Sequence, residues 1–245
     1  MHTIVLATQK GGSGKSTLAI GLALAAIQDG HTVRLVETGE RGTLSNWNHR
    51  RAQAEPGVEP ITSADDVEQR LQIFERNGVT LTIIDTAGGL SAVTTSAVRY
   101  ADLVLIPARP SPADIEATAP TLGLARAWRK PFAFILNQTP IRGRRVGNAA
   151  TTLGDEAALD VSDILAQPCI VMRNDHQDAL GAGLAVTEYA PTGKSAEEIR
   201  DLWRWVENRL TAGSVAQAPR VEFHAAPVVQ PMYLAAPTEA TAIVG

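Results

Sequence analysis

The feature that most constrains the fold is a glycine-rich loop near the N-terminus, residues 9–17, with the sequence QKGGSGKST. It follows an apolar run at residues 3–7 and precedes a helical pattern of small residues at 18–26. A strand, a glycine loop and a helix in this order point successive backbone N–H groups and a helix N-terminus at one anion. The strict G-x-x-x-x-G-K-[ST] pattern fails because Gln9 stands at the first glycine position. We therefore predict a phosphate-binding loop of a variant type.

Two lysines lie inside this loop. Lys15 stands where such a loop brings a lysine to the β- and γ-phosphates of a nucleotide, and Ser16 stands where a hydroxyl binds Mg²⁺. One lysine is enough for one site, so Lys10 is available to the phosphates of a facing subunit. The nucleotide-binding residues predicted from the loop are Lys10, Gly11, Gly12, Ser13, Gly14, Lys15, Ser16 and Thr17.

Strand and helix patterns alternate after the loop. Buried strands are predicted at residues 32–37, 79–85, 103–107 and 132–137, with a short last strand at 168–173. The other segments are predicted as a loop over residues 37–47, helix or loop over 48–77, and a last helix over 197–210. This alternation predicts an α/β fold of the P-loop NTPase type, a doubly wound and mostly parallel sheet with helices on both faces.

Polar side chains end two of these strands. Asp85 ends the most apolar strand and is followed by a flexible Thr-Ala-Gly-Gly segment, which is the arrangement of an aspartate that orders Mg²⁺ and its waters. The alternative is an aspartate that caps the next helix. Asn137 ends a later strand, where its amide either pairs with an adenine edge or forms an Asx turn.

Composition narrows the class of protein. A net charge of −4 over 245 residues argues against a surface coated with nucleic acid but permits a local basic patch. The single cysteine, Cys169, excludes a disulfide framework and a four-thiolate metal centre within the chain. No apolar run reaches the roughly 18 residues of a membrane span, and the first strand leaves no room for a signal peptide. We therefore expect a soluble cytoplasmic protein.

The composition changes after residue 210. Alanine, proline and valine dominate the last segment, charge is sparse, and prolines recur too often for a helix. We predict an ATPase domain at residues 1–210 and a flexible or partner-binding tail at residues 211–245.

Four stretches resemble the ParA/MinD group of deviant Walker ATPases. Residues 10–17 match the family loop with its signature lysine, residues 42–47 match the end of the second motif, and residues 85–91 resemble the third. Residues 107–114, with the sequence PARPSPAD, resemble the proline-rich segment of short plasmid partition ATPases of the ParF type and of the VirC conjugation proteins. A later segment at 173–179 is also similar, which adds Arg173 to the expected nucleotide-binding residues.

The resemblance implies a mechanism. Two subunits would sandwich two ATP molecules with Mg²⁺, and Lys10 of each would reach the nucleotide of the other. Ser16 would bind the metal directly and Asp85 would bind it through water. The homodimer would bind DNA without sequence preference and associate with the nucleoid. A ParB-like or small adaptor protein on the cargo would stimulate hydrolysis, so that the protein positions a plasmid or other cargo.

Contact with DNA needs exposed cations. The candidates are Arg200 and Arg204 on the last helix, with Arg142, Arg144 and Arg145 in a short basic loop. The alternative is that these arginines are ordinary solvated side chains.

The second motif departs from the family pattern. Relatives carry Asp-x-Asp-Pro-Gln-Gly, whereas residues 37–42 here have the sequence ETGERG. Glu37 keeps a carboxylate that can hold Mg²⁺-bound water, but Gly39 stands where the second aspartate orients the attacking water. Losing such a group commonly costs about 10²–10⁴-fold in rate.

Two outcomes are open for hydrolysis. Either Glu40 replaces the missing carboxylate, or the protein hydrolyses ATP very slowly and acts as a nucleotide-gated clamp; we favour weak, partner-stimulated hydrolysis. The expected catalytic residues are Lys10, Lys15, Asp85, Glu37 and Glu40.

Proteins with the same fold have other functions that are alternatives to a positioning ATPase. An ATP-gated scaffold dimer with little hydrolysis, similar to the VirC proteins, is the main alternative and is favoured by Gly39. A small-molecule ligase of the dethiobiotin synthetase type leaves Lys10 unexplained. A MinD-like membrane cycle needs a basic amphipathic C-terminal helix, which the proline-rich tail does not supply. The nitrogenase reductase relatives need two cysteines per subunit.

Overall fold

The computed structural model describes residues 1–39 and 42–216. Its centre is one six-stranded sheet, in which every neighbouring pair of strands is parallel. The strands are β1 (His2–Leu6), β2 (Val33–Glu37), β3 (Gly57–Pro60), β4 (Leu81–Asp85), β5 (Leu103–Ala108) and β6 (Phe132–Leu136). Their spatial order is β3-β2-β4-β1-β5-β6, which confirms the predicted doubly wound P-loop NTPase fold.

Helices connect the strands and cover both faces of the sheet. They are α1 (Lys15–Gln28), α2 (Thr43–Arg50), α3 (Asp66–Arg76), α4 (Ala92–Tyr100), α5 (Pro112–Glu116), α6 (Ala119–Ala127), α7 (Arg145–Ala157), α8 (Val161–Ile164), α9 (Asp175–Gly181), α10 (Val186–Tyr189) and α11 (Lys194–Ala216). Within the described residues, no helix combines the length and apolar character needed to cross a bilayer.

The sheet separates two hydrophobic cores because side chains alternate along each strand. Ile4 and Leu6 of β1 pack into one core with α1, α2 and α11, whereas Val5 packs into the other with α3, α4, α6 and α7. The central strands are buried on both faces, which explains their almost continuous apolar sequence. Each fully buried aliphatic side chain contributes about 1.5–3 kcal/mol to this core.

The parallel arrangement decides where the functional side chains meet. β1 lies between β4 and β5, and the register pairs Leu6 with Asp85 and Glu37 with Asp85. The glycine loop after β1 and the carboxylates that end β2 and β4 therefore lie at one edge of the sheet. Open α/β sheets bind ligands at this edge.

Some predicted elements were wrong. β3 was missed because it is a short, half-exposed edge strand that ends in Pro60, and such a strand carries little hydrophobic signal. The segment predicted as a loop at 37–47 contains the start of α2. The last predicted strand, at 168–173, makes only one isolated bridge, between Val171 and Thr139. The backbone N–H of Val171 donates to the Glu198 carboxylate at 3.1 Å instead of joining the ladder.

The last helix is longer than predicted. α11 begins at Lys194 and continues to Ala216, whereas the sequence pattern predicted residues 197–210. Its apolar side packs mainly against α1 and α10. The tail predicted at residues 211–245 therefore starts within this helix, and its part from residue 217 onward lies outside the described residues, as do residues 40 and 41.

Candidate functional site

The glycine loop between β1 and α1 adopts a conformation that only glycine supports at two positions. Gly12 has φ 77° and Gly14 has φ 89°, both in the left-handed region. A Cβ atom on Gly14 would lie 2.2 Å from Nδ2 of Asn137, so the loop and the end of β6 approach too closely for a side chain there. Gly14 is also the N-cap of α1, and the N-terminus of this 14-residue helix opens into the loop.

Asp85, which is buried, and Ser16, which is half-buried, form a polar pair at the loop. The Ser16 hydroxyl donates to Oδ2 of Asp85 at 2.6 Å, and among the described residues Oδ1 of Asp85 has no hydrogen-bond partner. Burial raises the pKa of Asp85 to about 6, with the nearby Glu37 carboxylate adding to the rise while Ser16 and Lys15 oppose it. A buried carboxylate oxygen without a partner, next to a hydroxyl, fits Mg²⁺, which prefers oxygen ligands.

The two loop lysines have different surroundings. Lys15 is buried, whereas the side chain of Lys10 is 36% exposed and its Nζ lies 3.0 Å from Oδ2 of Asp114. Asp114 lies in the first turn of the short helix α5 and is itself buried. Lys10 therefore points away from its own loop and toward the segment that follows β5.

Asp114 has more than one partner. Arg109 donates through Nε to Oδ1 at 3.0 Å, and the Ser111 hydroxyl donates to Oδ2. Burial alone would raise the pKa of the Asp114 carboxyl, but hydrogen bonds from Ser111, Lys10 and Arg109 together hold it below its ordinary value. The carboxylate is thus ionised at neutral pH and keeps two donors if Lys10 leaves.

Glu37 ends β2 and caps α2. Its Oε1 accepts the backbone N–H of Leu44 at 2.8 Å, and its Oε2 accepts both the backbone N–H and the hydroxyl of Ser45. A carboxylate at a helix N-terminus satisfies donors that the helix itself leaves unpaired. The expected role of Glu37 in holding Mg²⁺-bound water stays a prediction.

Gly39 lies beside the segment that follows Asp85. A Cβ atom at Gly39 would lie 3.6 Å from Cα of Ala87, which is an ordinary van der Waals contact. The neighbouring Thr38 ties the two segments together, because its hydroxyl accepts the backbone N–H of Ala87 at 3.2 Å. Glu40, the proposed replacement for the missing carboxylate, lies outside the described residues.

A cavity of about 110 Å³ lies on the other side of the loop, toward β6. Gly14 and Thr17 form one wall, and Asn137 and Arg173 line the cavity as well. Nδ2 of Asn137 donates to the backbone carbonyl of Ser13 at 2.8 Å, and Arg173 forms an ion pair with Glu198 of α11 at 2.6 Å. The cavity adjoins the glycine loop, and the expected roles of Asn137 and Arg173 in nucleotide binding stay predictions.

A match to a protein-family model identifies the family of this chain. A family model described as VirC1 protein matches residues 1–127. The chain belongs to the VirC1 family. It is 31% identical over 153 residues to protein virC1 of Rhizobium radiobacter, covering 58% of this chain and 66% of that protein.

Relatives of this VirC1-family chain include positioning proteins. It is 28% identical over 204 residues to maintenance of carboxysome distribution protein A of Halothiobacillus neapolitanus, covering 80% of this chain and 91% of that protein. It is 33% identical over 128 residues to protein ParA of Rhizobium radiobacter, covering 51% and 56%. The resemblance to the ParA/MinD group and to plasmid partition proteins is thereby confirmed.

Solved structures confirm the fold of the VirC1-family chain. The MinC:MinD cell division protein complex of Aquifex aeolicus matches with a TM-score of 0.70 at 16% identity, over 91% of this chain and 100% of that chain. A ParA family ATPase from Chlorobium tepidum matches with a TM-score of 0.65 at 18% identity, over 84% and 98%.

The predicted DNA-binding arginines of this VirC1-family protein fall into two groups. Arg204 of α11 has a 68% exposed side chain that pairs with Asp201, and Arg200 is half-buried and donates to the Pro191 carbonyl. The other group, Arg142, Arg144 and Arg145, is exposed before and at the start of α7. Since α11 and α7 pack on opposite faces of the sheet, the two groups belong to different layers.

Two residues of this site were missed by the sequence reasoning. Asp114 was recognised only as the last residue of the proline-rich segment 107–114, although a Ser-Pro-x-Asp motif after a central strand signals a carboxylate at the functional edge. Gln138 was not singled out, yet its Nε2 donates to the Gly12 carbonyl at 3.0 Å. Its only local signal is its position directly after Asn137, at the end of a buried strand.

Proposed function

We propose that this protein is a ParA-type positioning ATPase, in which ATP joins two subunits that then bind DNA without sequence preference. The observation that carries the proposal is the separation of the two loop lysines. Lys15 is buried beside the Ser16–Asp85 pair, whereas Lys10 is held outward by Asp114. One loop thus offers one lysine to its own nucleotide and a second to a facing subunit.

The loop side of the site fits a triphosphate with Mg²⁺. The residues proposed to surround the phosphates are Lys10, Gly11, Gly12, Ser13, Gly14, Lys15, Ser16 and Thr17. Ser16 and Asp85 are proposed to hold Mg²⁺, Asp85 through water, and the metal would neutralise charge on the β- and γ-phosphates. On the nucleoside side, Asn137 and Arg173 line the adjacent cavity. Relatives support this assignment, because solved structures of the fold include an MgADP complex of MinD and an ATP complex of McdA.

Dimerisation would follow from the charge of ATP. The phosphates of one subunit attract Lys10 of the other, and charge-assisted contacts of this kind are roughly twice as strong as neutral ones. To make them, Lys10 must leave Asp114. Arg109 and Ser111 still donate to that carboxylate afterwards, so the exchange leaves no buried charge without a partner.

The dimer would present twice the cationic surface of the monomer to DNA. Contact through a few phosphates is sequence-independent and strongly salt-dependent. The names of relatives, carboxysome distribution protein A, ParA and MinD, support an intracellular cargo whose position the ATPase controls. We propose that a ParB-like or small adaptor protein on the cargo stimulates hydrolysis, and that the protein is cytoplasmic and nucleoid-associated when ATP is bound.

The test measures molecular mass and DNA retention with different nucleotides. With ATP and Mg²⁺, light scattering should show a dimer that plasmid DNA retains, while ADP should leave a monomer that DNA does not retain. Lys15→Ala is the control, because without the phosphate-binding lysine neither change should occur. A chain that remains monomeric with ATP, or that dimerises equally with ADP, would contradict the proposal.

The exposed arginine of α11 gives a prediction for DNA binding. Arg204→Glu should weaken retention of the ATP dimer by plasmid DNA about tenfold or more and reduce the salt dependence, because each subunit loses a phosphate contact. ATP-dependent dimerisation should stay unchanged. Arg99→Glu is the matched control, since Arg99 lies on α4 and stacks on Tyr100 and Trp128. Equal retention of native and Arg204→Glu dimers across a salt series would remove Arg204 from the interface.

A second candidate function is an ATP-gated scaffold with little or no hydrolysis, similar to the VirC proteins. Gly39 favours it, because a glycine cannot orient or polarise an attacking water. The two functions share the ATP dimer and differ in turnover. Phosphate release that matches the Lys15→Ala control, with DNA present, would favour the scaffold.

A further inference from the structure

Two consecutive side-chain amides at the end of β6 hold the outer side of the glycine loop. Nδ2 of Asn137 donates to the carbonyl of Ser13 at 2.8 Å, and Nε2 of Gln138 donates to the carbonyl of Gly12 at 3.0 Å. Oδ1 of Asn137 in turn accepts the backbone N–H of Gln138 at 2.9 Å, which orients the first amide. The two side-chain amides thus bind adjacent peptide units of the loop, and the first is oriented by the backbone of the second residue.

We propose that Asn137 and Gln138 act as an amide clamp, with Gln138 as a positioning residue that keeps the loop ready for phosphate. A trans peptide unit is planar, so the C=O of one residue and the N–H of the next point in opposite directions. An amide that pulls the Gly12 carbonyl toward β6 therefore turns the N–H of Ser13 toward the inner, concave side of the loop. The same holds for the Ser13 carbonyl and the N–H of Gly14.

The backbone of Gln138 supports a functional role. Its φ of 52° lies in the left-handed region, which residues other than glycine rarely adopt. Uncommon backbone conformations persist only where the surrounding structure holds them, and they cluster at functional sites. Here the conformation turns the chain sharply after β6 and brings the half-buried Gln138 side chain back onto the loop. Glycine at this position would keep the backbone and lose the amide.

The clamp would contribute to phosphate binding more than to nucleoside binding. A loop whose N–H groups already point inward loses less conformational freedom when an anion arrives, so binding is tighter. Both side chains line the cavity of about 110 Å³, Asn137 buried and Gln138 half-buried, but the amide of Gln138 donates to the Gly12 carbonyl of the loop. The inference rests on the proposed nucleotide function and adds a residue that tunes its phosphate side.

The experiment separates the two halves of the ligand. Tripolyphosphate carries only the phosphates and adenosine only the base and ribose, and each is measured by competition with a fluorescent ADP analogue on the full chain. Gln138→Gly should weaken the binding of tripolyphosphate about 3- to 10-fold, as expected for one lost hydrogen bond. The affinity for adenosine should stay unchanged. Gln138→Asn should behave alike, because its amide is one methylene shorter. Gln72→Ala, on an exposed face of α3, is the control and should change neither affinity.

The outcomes distinguish the clamp from the nucleotide site. If the native protein and the Gln138→Gly variant bind tripolyphosphate equally tightly, the proposed clamp is wrong and the nucleotide site is unaffected. An equal loss of adenosine and tripolyphosphate affinity overturns it too, because a general structural defect would act on both halves. Native protein that binds neither probe overturns the proposed nucleotide site and the clamp together. Thermal unfolding of each variant, expected to be native-like, shows that the variants fold.

Discussion

Gly39→Asp is expected to raise the rate of ATP hydrolysis by about 10²-fold, because it restores a carboxylate that orients the attacking water. The position can accept the side chain, since a Cβ atom there makes only ordinary contacts with Ala87. Segment 38–39 lies beside the Asp85 strand end, where Thr38 accepts the backbone N–H of Ala87. Single-turnover hydrolysis of ATP with plasmid DNA is the measurement.

Two further variants identify the group that acts in the native protein. Gly39→Asn has the same size without the basic carboxylate and should leave the native rate unchanged. Glu40→Ala should abolish native turnover, with ATP binding intact, if Glu40 is the substitute. A Gly39→Asp rate equal to the native one would show that water activation does not limit hydrolysis here.

Lys10→Ala is expected to weaken the ATP dimer about 30-fold or more, since truncating one member of a buried interfacial charge pair costs about 2–5 kcal/mol. Binding of ATP to the monomer should be unchanged, because Nζ of Lys10 contacts Asp114 and not its own loop. Dimer dissociation constants from sedimentation or light scattering, with ATP binding measured separately, provide the comparison.

Asp114→Asn should act in the opposite direction from Lys10→Ala. The amide oxygen still accepts from Arg109, and the amide nitrogen in the place of Oδ2 can donate to the Ser111 hydroxyl, but the charge that holds Lys10 in its own subunit is gone. The ATP dimer should therefore become about fivefold tighter, which corresponds to about 1 kcal/mol for a partly exposed ion pair. A weaker dimer would mean that Asp114 prepares Lys10 for the partner instead of competing with it.

The general fold and the loop could be predicted from local sequence. Buried parallel strands are covered on both faces and therefore produce apolar runs that are visible without a structure, as in residues 79–85. The glycine loop is equally visible because its conformation requires glycine at Gly12 and Gly14. A segment such as β3 leaves no comparable signal, because an edge strand is paired and covered on one side only.

Contacts between segments that are distant in sequence could be seen only in the tertiary structure. The carboxylate of Asp114 meets Lys10 across 104 positions of sequence, and Gln138 meets Gly12 across 126. Glu37 is a residue whose position, but not its contacts, could be predicted from the sequence. Its place at the end of β2 was clear from the sequence, but its role as the cap of α2 depends on how the chain returns after residues 40 and 41.

The local sequence was thus sufficient to predict the strand, glycine loop and helix at the N-terminus, and the acid that ends β4. These features depend on neighbours within a few residues, where backbone geometry and side-chain type act directly. The position of Lys10 on Asp114, and the amides of Asn137 and Gln138 on the loop carbonyls, depend on the order in which the parallel strands assemble. That order brings β1, β5 and β6 side by side, so the loops at their carboxyl ends meet although the sequence separates them widely.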